Sequence, residues 1–83
     1  PVGLFLIAPP VALPGYPQPL DALAGIPTRV VHGWHDELIP AQDVVDWCRP
    51  RSLPLLLLDD DHRLEGHVDA IADEFARFLR ALA

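Results

Sequence analysis

Apolar residues come in four blocks, and their periods differ. Leu4-Phe5-Leu6-Ile7 is a short unbroken run closed by Pro9 and Pro10. Thr28-Arg29-Val30-Val31-His32 follows Pro27, and Leu55-Leu56-Leu57-Leu58 follows Pro54. Runs of four to six residues, apolar at odd and even positions alike, predict strands buried on both faces. The last block has a different period. Val68, Ile71, Phe75, Phe78, Leu79 and Leu82 fall on one helical face, with Asp69, Asp73, Arg77 and Arg80 off it, which predicts an amphipathic helix over about 68–82.

Between the blocks the punctuation is local. Val11 to Pro19 holds three prolines and a glycine and reads as loop. Leu20 to Ala24 has room for a turn or two of helix before Gly25. Pro40 to Cys48 reads as a short helix: proline is tolerated in a first turn, Asp43 places negative charge near its start, and Pro50 ends it. Val44, Val45 and Cys48 share one of its faces. The predicted order is strand, short helix, strand, helix, strand, helix. Strands joined through helices imply a parallel α/β sheet, whose ligands sit beyond the carboxyl ends of the strands.

Composition narrows the partners. The 83 residues are 51% hydrophobic with a formal charge of −6, and the six basic residues are dispersed. A nucleic-acid surface needs a basic stripe, and an anionic membrane surface needs a basic cluster; neither partner is expected. No apolar run approaches the length of a membrane span, and one cysteine, Cys48, cannot build a disulfide framework. A cytoplasmic protein is the expectation. A single small domain portion over residues 1–83 is all that this length allows.

The candidate chemistry lies just past the second and third strands. His32-Gly33-Trp34-His35-Asp36-Glu37-Leu38-Ile39-Pro40 follows one; Asp59-Asp60-Asp61-His62 follows the other. Two neighbouring parallel strands deliver Asp36 and His62 to one sheet edge. A zinc site drawn from His32, His35, Asp36, His62 and His67 is conceivable but disfavoured, because His32 ends a buried strand; no metal and no cofactor is expected. Asp59, Asp60 and Asp61 read as a solvated acidic cluster, Cys48 as a core residue, and Trp34 and Trp47 as packing residues, with Trp34 able to edge a cleft.

These elements resemble the C-terminal half of small α/β-hydrolase-fold serine hydrolases. In that family the triad runs nucleophile, acid, histidine along the chain, and the acid follows a strand in a stretch like His-Gly-x-x-Asp-x-x-Ile/Val-Pro. Here that stretch is His32 to Pro40. The resemblance assigns Asp36 as the triad acid, with Glu37 a weaker competitor, and His62 as general base and acid, with His67 a weaker alternative. It implies a carboxylesterase or thioesterase acting on a small-to-medium ester or thioester. It also implies a lidless enzyme, since the segment from Pro9 to Pro27 is short where this family commonly inserts a lid.

The departure is the nucleophile. There is no Gly-x-Ser-x-Gly, and the lone serine, Ser52, has no flanking glycines. The implied partner is an N-terminal half of the same fold, carrying nucleophile and oxyanion hole, and residues 1–83 without it are expected to be inactive. Two alternatives stand: a dienelactone-hydrolase-like enzyme with a cysteine nucleophile, and a non-catalytic half-domain acting as an interaction module.

Overall fold

The computed structural model describes residues 3–11 and 25–82. Three strands, β1 (Leu4–Ile7), β2 (Thr28–Gly33) and β3 (Leu55–Leu58), form one parallel sheet in the order β1-β2-β3. The register sets Leu6 beside Val30 and Val30 beside Leu55, and pairs Gly33 with Leu58 at the far end. The central strand is therefore the one that carries the acid motif.

Helix α1 (Ala41–Cys48) links β2 to β3, and α2 (Val68–Leu82) closes the chain. Because side chains alternate across a strand, each strand feeds two cores. Val30 packs on one face with Val11, Ile39, Val44 and Cys48, backed by Leu6 and Leu55. Val31 packs on the other with Leu58 and Leu64, backed by Phe5, Leu56 and Ile71. That is the physical reason the strands are apolar at every position rather than at alternate ones.

The expected elements match the observed ones to within a residue or two. Pro40 precedes α1 as its cap residue, and a 3-10 turn over Arg49–Arg51 holds Pro50 after it. A second 3-10 turn, Glu65–His67, leads into α2. The helical turn expected over 20–24 and most of the proline-rich connection lie outside the described residues.

The apolar face of α2 is only partly used. Phe78 is buried, and Phe5 meets the rings of Phe75 and Phe78 at 5.1 and 5.7 Å between centroids. Val68, Phe75 and Leu79 stay exposed, as does Ile7 on β1. Arg29, at the start of β2, crosses to α2: its Nη1 lies 2.6 Å from Glu74 Oε1, and its guanidinium sits over the Phe78 ring. Among the described residues, no helix is long and apolar enough to cross a membrane.

Candidate active site

The carboxyl ends of β2 and β3 bring the candidate residues together. Beyond Gly33 and Leu58 the two chains stay paired: Trp34 N–H donates to Leu58 O at 2.8 Å and His35 N–H to Asp60 O at 3.0 Å. The approach is close at one point. A Cβ on Gly33 would lie 2.5 Å from the carbonyl oxygens of both Asp60 and Asp61. Only a residue without a side chain admits the second loop at that distance.

Asp36 sits in a tight turn that its own carboxylate builds. Its Oδ1 accepts the N–H groups of Leu38 at 2.8 Å and Ile39 at 2.7 Å, and its own N–H donates to Gly33 O at 3.3 Å. Its Oδ2 accepts from His62 Nδ1 at 2.7 Å, with His32 Nε2 3.3 Å away. The side chain is fully buried. Burial by itself raises a carboxyl pKa; the N–H donors of Ile39 and Leu38, and the His62 ring with its charge, outweigh it, so Asp36 is held below its ordinary value of 3.8. The result is a buried carboxylate that stays charged.

His62 is about one-third exposed. A carboxylate can only accept, so Nδ1 carries the proton in that 2.7 Å bond. That leaves Nε2, across the ring, as the basic nitrogen in the neutral imidazole. A buried acid that fixes the tautomer of an imidazole, with no partner for the second nitrogen among the described residues, is a geometry compatible with general acid–base chemistry.

The neighbouring candidates sort differently. Glu37 is exposed and takes no part in the Asp36–His62 contact. His67 Nδ1 binds Asp60 Oδ2 at 2.9 Å, not Asp36. The three aspartates are solvated as expected, with Asp59 and Asp61 exposed, and each also holds a hydrogen bond in the loop. Asp60 also accepts from Gly66 N–H and from Asp61 N–H, Asp61 accepts from Arg63 N–H, and Asp59 faces His35 across the two loops at 2.7 Å. The His67 and backbone donors lower the Asp60 carboxyl below its ordinary value. Trp34 is 56% exposed, which corrects the expectation of a packing role, whereas Trp47 packs beside the core under the Arg51 guanidinium. Cys48 is buried, and that burial pushes its thiol pKa up, away from thiolate chemistry. Among the described residues, no group of three or more His, Cys, Asp or Glu side chains is arranged to hold a metal.

Solved structures share this fold. A protein from Xanthomonas campestris pv. campestris, assigned as a hydrolase of the alpha/beta superfamily, superposes with a TM-score of 0.87 at 50% sequence identity, over 96% of this chain and 45% of its own. The chain is part of an alpha/beta hydrolase fold. An alpha-beta serine hydrolase homologue from Coxiella burnetii shares the fold, with a TM-score of 0.64 at 24% identity, over 99% of this chain and 38% of its own. The chain thus spans less than half the length of either. No family model matches it, and no curated protein does.

Ser52 lies at the opposite edge of the sheet from Asp36 and His62. It caps the turn after α1, at φ 54°, and precedes β3, whereas Asp36 and His62 follow the opposite ends of β2 and β3. Two residues that shape the site escaped the sequence reading. Gly33 was visible only as part of a motif, although a glycine directly after a buried strand marks close backbone approach. His32 ends the buried strand as expected, but its bond to Ile39 O at 2.7 Å and its nearness to Asp36 come only from the fold.

Proposed function

We propose that this chain supplies the acid and base of a serine hydrolase of the carboxylesterase or thioesterase type, acting on a small-to-medium ester or thioester. The 2.7 Å Asp36–His62 bond at the carboxyl edge of the sheet carries the reading. In this mechanism His62 Nε2 takes the proton of a nucleophilic hydroxyl as its oxygen bonds to the substrate carbonyl carbon. Asp36 stabilises the imidazolium, and collapse of the tetrahedral intermediate passes the proton to the departing alkoxide or thiolate. Water, deprotonated by the same nitrogen, then cleaves the acyl-enzyme. The nucleophile and oxyanion donors belong to a preceding half of the same fold, whose packing also accounts for exposed Ile7, Phe75 and Leu79.

The test uses the full-length protein with p-nitrophenyl acetate and acyl-thioester substrates. Asp36→Asn is expected to lower kcat by about 10⁴-fold and His62→Gln by about 10⁶-fold, the losses seen when a triad loses its acid or its base. Residues 1–83 alone are expected to hydrolyse nothing above background. Labelling by a fluorophosphonate but not by iodoacetamide identifies a serine rather than a cysteine nucleophile. Wild-type kcat in either variant rules the assignment out.

A further inference from the structure

His32 is fully buried at the end of the central strand, a place where an imidazole is costly unless its polar atoms are used. Its Nε2–H donates to Ile39 O at 2.7 Å, and the same nitrogen lies 3.3 Å from Asp36 Oδ2. Its Nδ1 is buried with no hydrogen-bond partner among the described residues. Ile39 is also the residue whose N–H gives Asp36 Oδ1 its shortest backbone bond, 2.7 Å. One imidazole therefore grips the far end of the Asp36 turn through the Ile39 carbonyl and faces the oxygen that receives His62. We infer that His32 is a positioning residue for the triad acid, fixing the Asp36 turn so that Oδ2 is presented to His62 Nδ1.

Among the described residues, the other ties from this turn to β2 are the Asp36 N–H bond to Gly33 O at 3.3 Å and the packing of Ile39 with Val30. The backbone donors to Asp36 come from within the loop itself, at Leu38 and Ile39. His32 adds a side-chain hydrogen bond that ties that loop's end back to the central strand, seven residues earlier in the chain. The Asp36 N–H bond holds the start of the loop; a loop pinned to the central strand at its far end as well is less free to tilt. Small tilts matter because catalytic geometry tolerates less than about 1 Å of error.

The inference rests on the proposed hydrolase reading, so its test carries one readout independent of turnover. In the full-length protein, His32→Leu removes the donor at similar volume, and His32→Gln keeps an amide donor at the reach of Nε2. Proton NMR follows the far-downfield Nδ1–H of His62, and p-nitrophenyl acetate gives kcat and KM. His32→Leu is expected to weaken or abolish that resonance and to lower kcat about 10–100-fold with KM within about twofold. His32→Gln is expected to restore both. A folded His32→Leu protein that keeps the resonance, or a folded His32→Gln protein that loses it, overturns the inference. If the leucine variant does not fold, His32→Asn, whose amide falls short of Ile39 O, replaces it, with equal resonances in the Asn and Gln variants counting against the idea. Absence of esterase activity in the wild type defeats the proposed function, and the NMR comparison still decides the role of His32.

Discussion

Gly33→Ala is the sharpest test of how the two loops meet. The new Cβ would stand 2.5 Å from the Asp60 and Asp61 carbonyl oxygens, whereas real Cβ atoms essentially never come within 3.0 Å and ordinary contact begins at 3.4 Å. The obstacles are backbone atoms, so no rotamer change relieves the clash. Backbone conformation is not the issue, since Gly33 is not among the described residues with positive φ. The 59–62 loop must retreat from the 33–36 turn by the difference, about 0.5–0.9 Å, a displacement of the size that upsets catalytic alignment. His62 is the residue after Asp61, and its 2.7 Å bond to Asp36 spans the same gap. Opened by that amount, the bond passes out of the good hydrogen-bond range. A loss of about 10–100-fold in kcat follows, equivalent to about 1.4–2.7 kcal/mol of barrier, with KM little changed. Overpacking also costs about 1–3 kcal/mol of stability. The assay is steady-state hydrolysis by the full-length variant well below its unfolding midpoint, with a crystal structure of the variant. A kcat within twofold of wild type, with the Asp36–His62 distance unchanged, refutes the reasoning.

Other expectations concern stability. Asp36 and Asp60 both bind protons more weakly folded than unfolded; their contribution is therefore complete above the ordinary carboxylate value of 3.8 and is lost as pH falls through their lower folded values. A thermal midpoint for which Asp36→Asn flattens none of the decline below about pH 4, checked by circular dichroism, contradicts this. Glu74→Gln removes the charge partner of Arg29, whose Nε is buried with no hydrogen-bond partner among the described residues; with both side chains mostly but not fully buried, a loss of about 1–3 kcal/mol in urea unfolding is expected, short of the cost of a fully buried pair. Ser52→Gly relieves an exposed left-handed residue at φ 54° and is expected to raise stability by up to about 1 kcal/mol without changing kcat.

Local pattern was enough to determine the elements and their order. Unbroken apolar runs and period-3.6 signals depend on neighbours a few residues apart, and so do the proline and glycine stops; hence β1, β2, β3, α1 and α2 could all be read from the chain. Parallel connectivity then placed Asp36 and His62 at one edge, because each follows a strand and the strands are neighbours. Pairing across the loops was a different matter. Asp36 and His62 are 26 residues apart and His35 and Asp59 are 24 apart, and no local period encodes which acid meets which histidine. Three adjacent aspartates looked alike as sequence; tertiary contacts gave Asp60 to His67, Asp59 to His35 and Asp61 to Arg63 N–H. Likewise α2 showed one apolar face, yet only packing decided that Phe78 is buried while Phe75 and Leu79 are not. The sequence by itself determined which residues reach the sheet edge, since strand and helix are local; the tertiary structure decided which nitrogen faces which oxygen, since a hydrogen bond is won by a few tenths of an ångström that only the assembled backbone sets.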